Sequence, residues 1–190
     1  MKEEVLPPSP NWFLSNILAH LGDNTIAYGA RNWIIIAKFL SENQTPEIST
    51  IVNAHKEKVS VLAASPTTDV GSAFWQGLAS AGDDSLVKVW NWETLAPIVA
   101  HNAHTAGAKV TALDWSKLDS NLVVSADEQG TVVSWDLLSN TTQKYNFLKL
   151  VPTCLSCCPH RRDLVAVGTR TGLVCTISLK GKVQHLVSDK

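Results

Sequence analysis

Three segments of this chain align on one another with a period of just over forty residues, and that period constrains the fold more than any other feature. They are "LASAGDDSLVKVWNWET" (78–94), "LVVSADEQGTVVSWDLLS" (122–139) and "LVAVGTRTGLVCTISLK" (164–180). Each reads as an apolar strand, a polar turn and a second strand of alternating character. Trp90, Trp135 and Ile177 fall at one repeat position, 45 and 42 residues apart. Ahead of each lies a further matched element: "KVSVLAASP" (58–66), "KVTALDWSK" (109–117) and "PTCLSCCPH" (152–160). A sheet of about four short strands repeated at this period cannot bury its faces alone, so copies must stack on one another around an axis.

The period and the strand pattern are those of the WD40 blade. The tripeptide "NAH" stands at 53–55 and again at 102–104, where such blades usually carry Gly-His. A degenerate copy, "NTIAYGARNWIIIAKF" (24–39), precedes them with only the paired-strand pattern. The expected fold is therefore all-β, a partial WD40 β-propeller of about four blades from a ring of seven. The expected boundaries are an arm at 1–13, the degenerate blade at about 14–52, and blades at about 53–100, 101–148 and 149–190. An arc of four blades with both outer faces bare would leave strands unpaired, which suggests a truncated product, a partial gene model or one piece of a split chain.

Within the first full repeat, His55, Ser80 and Asp84 imitate a hydrolase triad. Trp90 completes a different pattern: in WD40 blades a Trp, a Ser or Thr, a His and an Asp form a buried hydrogen-bond chain, and buried polar groups recur together because each needs a partner. No G-x-S-x-G elbow or glycine-rich oxyanion loop accompanies Ser80. The expectation is a structural tetrad and no enzyme. His104, Ser125 and Trp135 repeat three of the members in the next blade, with Gln129 where the acid belongs; the last blade keeps none. Tetrad quality, and with it blade stability, should fade along the chain.

Metal chemistry has one weak pointer. "CLSC" at 154–157, with Cys158 and His160 beside it, has the spacing of a zinc half-site, but Cys175 and His185 lie apart on other strands and do not complete one. Strand alternation instead turns some of these cysteines into the core, and their crowding late in the chain fits a reducing compartment, cytosol or nucleus. No P-loop, dinucleotide fingerprint or H-E-x-x-H motif is present, and no metal or cofactor is expected. The longest dense apolar run, "WIIIA" at 33–37, is far too short to span a bilayer, so no membrane association is expected. The net charge of −1 hides an asymmetry: residues 1–142 hold 8 Lys/Arg against 15 Asp/Glu, and residues 143–190 hold 8 against 2. Those late basic residues sit in ordinary turns, read as solvated surface, and give no reason to expect DNA binding.

The opening stretch "LPPSPNWF" (6–13) sets three prolines ahead of Trp12 and Phe13. Proline fixes φ and removes a donor, so this arm is extended and stiff. It reads as a proline-rich ligand, a plug for a hydrophobic core or a platform for stacking. Taken with "ARNW", "SAGDDSLVKVWNWET", "SADEQG" and "CPHRRDLVAVGTRTGLV", it resembles the start of the Gemin-five family over nearly the whole chain. That resemblance implies two consecutive seven-bladed propellers in the survival-of-motor-neuron complex, in cytoplasm and nucleus. It also implies recognition of the uridine-rich Sm site of small nuclear RNA precursors for spliceosomal assembly; cap binding and ribosome association are further family properties. By the same resemblance Trp12 is the arm Trp, Phe13 stands where Tyr is usual, and Arg31 is an RNA-contacting arginine. Single-stranded RNA is read by splaying bases onto aromatic rings and guanidinium planes, which suits all three side chains.

Overall fold

The computed structural model describes residues 8–12, 14, 16–40, 45–146, 150–180 and 182–186, and among them every regular element is a strand. The strands form four antiparallel sheets of four, each wound in chain order. The first comprises β1 (Leu18–Gly22), β2 (Thr25–Ala30), β3 (Trp33–Lys38) and β4 (Glu47–Ile51). The second is β5 (Val59–Ala64), β6 (Gly77–Gly82), β7 (Val87–Asn91) and β8 (Ala96–His101). The third is β9 (Val110–Trp115), β10 (Leu122–Asp127), β11 (Thr131–Asp136) and β12 (Thr141–Asn146). The fourth is β13 (Pro152–Cys157), β14 (Leu164–Thr169), β15 (Val174–Ser178) and β16 (Lys182–Leu186). Trp90 and Trp135 lie on the third strand of their sheets, and the degenerate first copy builds a complete sheet of its own.

The first strands β1, β5, β9 and β13 each contact the next, so they line the inside of the arc and the sheets fan outward from them. Between consecutive sheets lies an apolar core. Ile34, Ile36 and Ile51 meet Val59, Leu62 and Leu78; Val87 and Val89 meet Leu113, Trp115 and Trp135; Ala112, Val124 and Val132 meet Leu155, Val165 and Ile177. Sheets pack face to face at roughly 10 Å, so each core needs small residues on one wall where the other wall is bulky. Gly29 shows how tight the first core is: a Cβ there would fall 2.5 Å from Ile17 Cδ1 and 2.9 Å from Val59 Cγ1.

Polar stitches fix the angle between sheets along the inner ring. Ser60 Oγ donates to Ala81 O in its own sheet and to Val110 O in the next, at 3.1 and 2.5 Å. Thr111 Oγ1 repeats the pattern one sheet on, toward Ala126 O at 3.3 Å and Pro152 O at 2.7 Å. Leu62 N–H donates across to Asn16 O at 2.9 Å, and Cys157 N–H to Asp114 Oδ2 at 2.8 Å. The inner strands thereby give polar groups that face the neighbouring sheet a partner there.

Candidate nucleic-acid interface and the buried tetrads

The arm meets the first sheet through Asn11. Its backbone N–H donates to Gly29 O at 2.9 Å; its side-chain Nδ2 donates to Arg31 O at 2.9 Å and Val59 O at 2.8 Å; its Oδ1 accepts from Arg31 N–H at 2.6 Å. Both faces of the Arg31 peptide are thus held while Arg31 takes φ 54°, the left-handed region that a residue with a side chain adopts only under constraint. The other three sheets explain what Asn11 replaces. At the matching turn positions Asp83 N–H donates to Lys58 O, Glu128 N–H to Lys109 O and Arg170 N–H to Val151 O, each at 2.9 Å. In the first sheet the amide side chain of Asn11 stands in for that backbone carbonyl and reaches Val59 of the second sheet as well.

Trp12, the next residue, is 72% exposed, and Arg31 is exposed too. Asn11, Arg31, Asn32, Lys56, Glu57 and Lys58 line an open depression, three cations against a single carboxylate. Trp12 thus stands one residue along the chain from the side chain that clasps the Arg31 backbone; Phe13 lies outside the described residues. Asn11 was missed in the sequence, where a lone Asn before two aromatic residues carries no periodic signal.

The second sheet holds the polar chain in full. His55 Nδ1 is 2.9 Å from Asp84 Oδ1, His55 Nε2 is 2.9 Å from Ser80 Oγ, and Trp90 Nε1–H donates to Ser80 Oγ at 2.8 Å. Ser80 is fully buried, so no substrate carbonyl reaches it. Burial pushes the Asp84 carboxyl up, but the His55 ring and the Lys56 and Leu86 amides outweigh it and hold it below the usual carboxylate range.

The third sheet departs from expectation at two members. The acid is Asp127, not a residue at the Gln129 position: Asp127 Oδ2 lies 3.2 Å from His104 Nδ1 and accepts from Thr105 N–H, while Oδ1 accepts from Gln129 and Thr131 N–H at 3.0 Å. Asp127 occupies the place of Gly82, where a Cβ would sit 2.8 Å from the His55 ring. A side chain entering there meets the histidine, so a carboxylate two residues early serves the same imidazole. Burial works against this carboxyl, yet His104 and the Thr131 and Thr105 amides bring it down to about 2.

Trp135 also departs, because its Nε1–H donates to Asn140 Oδ1 at 3.0 Å and not to Ser125. Ser125 Oγ keeps its contact with His104 Nε2 at 2.7 Å. The reason is local: Asn140 turns through φ 52° just before β12 to offer an acceptor, and His101 from the second sheet packs edge-on to the indole, centroids 4.6 Å apart. Burial, with the nearby charges of His104 and Lys144, pushes His101 down to about 3. Its Nδ1 accepts from Ala103 N–H at 3.1 Å, so the ring is packed in its neutral form. The fourth sheet has no tetrad, but Thr169 Oγ1 accepts from Leu173 N–H at 3.2 Å and closes the corresponding turn.

Cys157 and Cys175 lie in the core between the third and fourth sheets, and burial followed by the Asp114 charge pushes the Cys157 thiol up to about 12. Among the described residues no group of three or more His, Cys, Asp or Glu is arranged to hold a metal.

Comparison with known proteins agrees with this geometry. The WD domain, G-beta repeat family matches residues 46–91 and 96–136. Gem-associated protein 5 of Mus musculus is 31% identical over 195 residues, covering 97% of this chain and 13% of that protein. The Homo sapiens protein of the same name is 30% identical over 188 residues, covering 95% of this chain and 12% of that protein. A DDB1- and CUL4-associated factor 11 homolog of Caenorhabditis elegans is 36% identical over 99 residues, 50% of this chain and 16% of that protein. Fold and repeats define a WD40 β-propeller chain, of which these four sheets are an arc. More particularly it is a WD40 protein like Gem-associated protein 5, spanning about an eighth of the length of those two relatives.

Two outcomes follow from the tetrads. Asp127→Asn should destabilise the chain by about 1–3 kcal/mol in urea unfolding, because His104 loses its charged acceptor, whereas Gln129→Ala should change stability by less than about 0.5 kcal/mol; equal effects would return the acid's role to the 129 position. His101 binds its proton far more weakly folded than unfolded, so its contribution is complete above the ordinary histidine range and is lost as pH falls through about 6.5 toward 3. Between pH 7.5 and 5 the unfolding free energy should drop by about 2 kcal/mol more in the natural chain than in His101→Phe; parallel pH profiles would contradict the neutral, packed ring.

Proposed function

We propose that this chain is an RNA-binding WD40 subunit that recognises the uridine-rich Sm site of small nuclear RNA precursors in spliceosomal assembly. The Asn11 clasp carries the reading. It anchors the arm to the backbone of the exposed Arg31, one residue along the chain from the exposed Trp12. One aromatic face and one guanidinium that makes no ion pair with a described residue suit a splayed single-stranded base and its phosphate. Stiffness matters too, because an arm preordered by Pro8, Pro10 and the Asn11 bonds loses less entropy on binding. Phe13 adds a second stacking face in this reading but no hydroxyl donor. Likeness to Gem-associated protein 5 over nearly the whole chain supports the same reading and, with the name of those relatives, membership of a survival-of-motor-neuron-type assembly; in this reading the chain works in cytoplasm and nucleus.

A second reading is a WD40 protein-interaction scaffold whose arm only seals the rim; the half-chain likeness to a protein named for its association with DDB1 and CUL4 favours it. Paired measurements of RNA affinity and melting temperature on the same samples separate the two. Trp12→Ala should weaken binding to a uridine-rich oligonucleotide by about 1–3 kcal/mol with little change in salt slope. Arg31→Ala should lower both affinity and the salt slope, the latter by about 1. A fall in melting temperature with affinity unchanged in Trp12→Ala would leave the scaffold reading.

A further inference from the structure

We propose that Ser9 is a phosphorylation site for a proline-directed protein kinase, and that its phosphate turns onto the cations of the arm's rim and lowers the affinity for RNA; the last step rests on the RNA-binding reading above. The sequence has three Ser-Pro or Thr-Pro pairs, at Ser9-Pro10, Thr45-Pro46 and Ser65-Pro66. They differ in what a kinase would meet. Ser65 is half-buried in the loop before β6: its N–H donates to Gly77 O at 2.9 Å and its hydroxyl accepts from Thr67 N–H at 3.4 Å. Thr45 is exposed, but Pro46 is half-buried at the entry to β4. Pro8, Ser9 and Pro10 are all exposed outside any strand, and the Ser9 hydroxyl makes no hydrogen bond with a described residue. Proline holds the segment in the extended form that a kinase cleft accepts, while Asn11 fixes where it leaves the rim.

The chemistry is an ordinary phosphoryl transfer with ATP as donor. The bond from the γ-phosphorus to its bridging oxygen breaks, Ser9 Oγ forms the new bond, ADP leaves, and the hydroxyl proton passes to the kinase's catalytic carboxylate. The product carries close to two negative charges two residues from Asn11, a span of about 7 Å. Arg31, Lys56 and Lys58 line the depression at Asn11. Three acids lie nearby and compete little: Glu57 is single, the Asp83 carboxylate pairs with Lys109 Nζ at 3.4 Å, and the Asp84 carboxylate is committed to His55 and to the Lys56 and Leu86 amides. A phosphate on Ser9 therefore finds cations within side-chain reach, and these are the charges that an RNA backbone would use.

The test treats the full chain with a proline-directed kinase and ATP, maps the phosphate by mass spectrometry, and repeats it with Ser9→Ala. Phosphate should appear on the peptide spanning residues 8–12 and vanish in Ser9→Ala; incorporation confined to Thr45 or to Ser65 would overturn the site. Phosphorus NMR titration without RNA then reads the docking. The second ionisation of phosphoserine, ordinarily near about 6, should lie lower in the natural chain than in Arg31→Ala; coincident titrations would overturn the contact with the rim. Finally, phosphorylated chain should bind the uridine-rich oligonucleotide about tenfold more weakly at low salt; unchanged affinity would overturn the regulatory step. If the unmodified chain binds no RNA, the RNA-binding reading and that last step fall together, while the mapping and the titration still decide the site and its docking.

Discussion

Asn11 Oδ1 does for the first sheet what a backbone carbonyl does for each of the other three. In sheets two to four the residue after the second strand donates its amide to the residue immediately before the first strand, and the chain supplies that acceptor simply by passing there. In the first sheet the acceptor comes from a side chain seven residues before β1 begins. The same amide group holds Arg31 O and Val59 O, so the clasp ties arm, first sheet and second sheet together with three side-chain bonds. It sets where the proline-stiffened arm meets the propeller and, with the Val59 N–H that also donates to Arg31 O at 2.8 Å, holds the left-handed backbone of Arg31.

Away from the rim, one requirement repeats. Each turn between second and third strands brings backbone amides inward, and something must accept them. Asp84 does so in the second sheet, Asp127 in the third and Thr169 in the fourth, and in the first two the same carboxylate orients a buried histidine toward a serine. A full tetrad is one solution among several. Trp135 leaves it for Asn140 and gains the edge-on His101, so the core between the second and third sheets closes around an indole and a neutral imidazole.

Most of the architecture was legible in the sequence because strand alternation and the repeat period are local. Trp90, Trp135 and Ile177 mark third strands whatever surrounds them, and the paired strands of 24–39 belong to a complete sheet. Equivalence of position was less reliable than equivalence of geometry. A carboxylate two residues from its aligned place reaches the same imidazole, which spacing alone does not reveal, and Trp135 has a choice of acceptors that depends on the turn conformation of Asn140. In the third sheet Asp127 faces His104 from a position the spacing did not mark, and the Trp135 indole turns to Asn140 in place of Ser125. Asn11 was illegible for a different reason: its partners Arg31 and Val59 lie 20 and 48 residues away and are met through their backbones, so their side-chain identities carry no trace of the contact.

The Asn11 side chain, and not the strand pairing around it, holds the Arg31 amide. Amide hydrogen exchange in the natural chain and in Asn11→Ala tests it directly. Arg31 N–H should exchange at least about tenfold faster in the variant, while the equivalent amides of Asp83, Glu128 and Arg170, which donate to backbone carbonyls, keep their protection. Equal protection of Arg31 N–H in both proteins would contradict it.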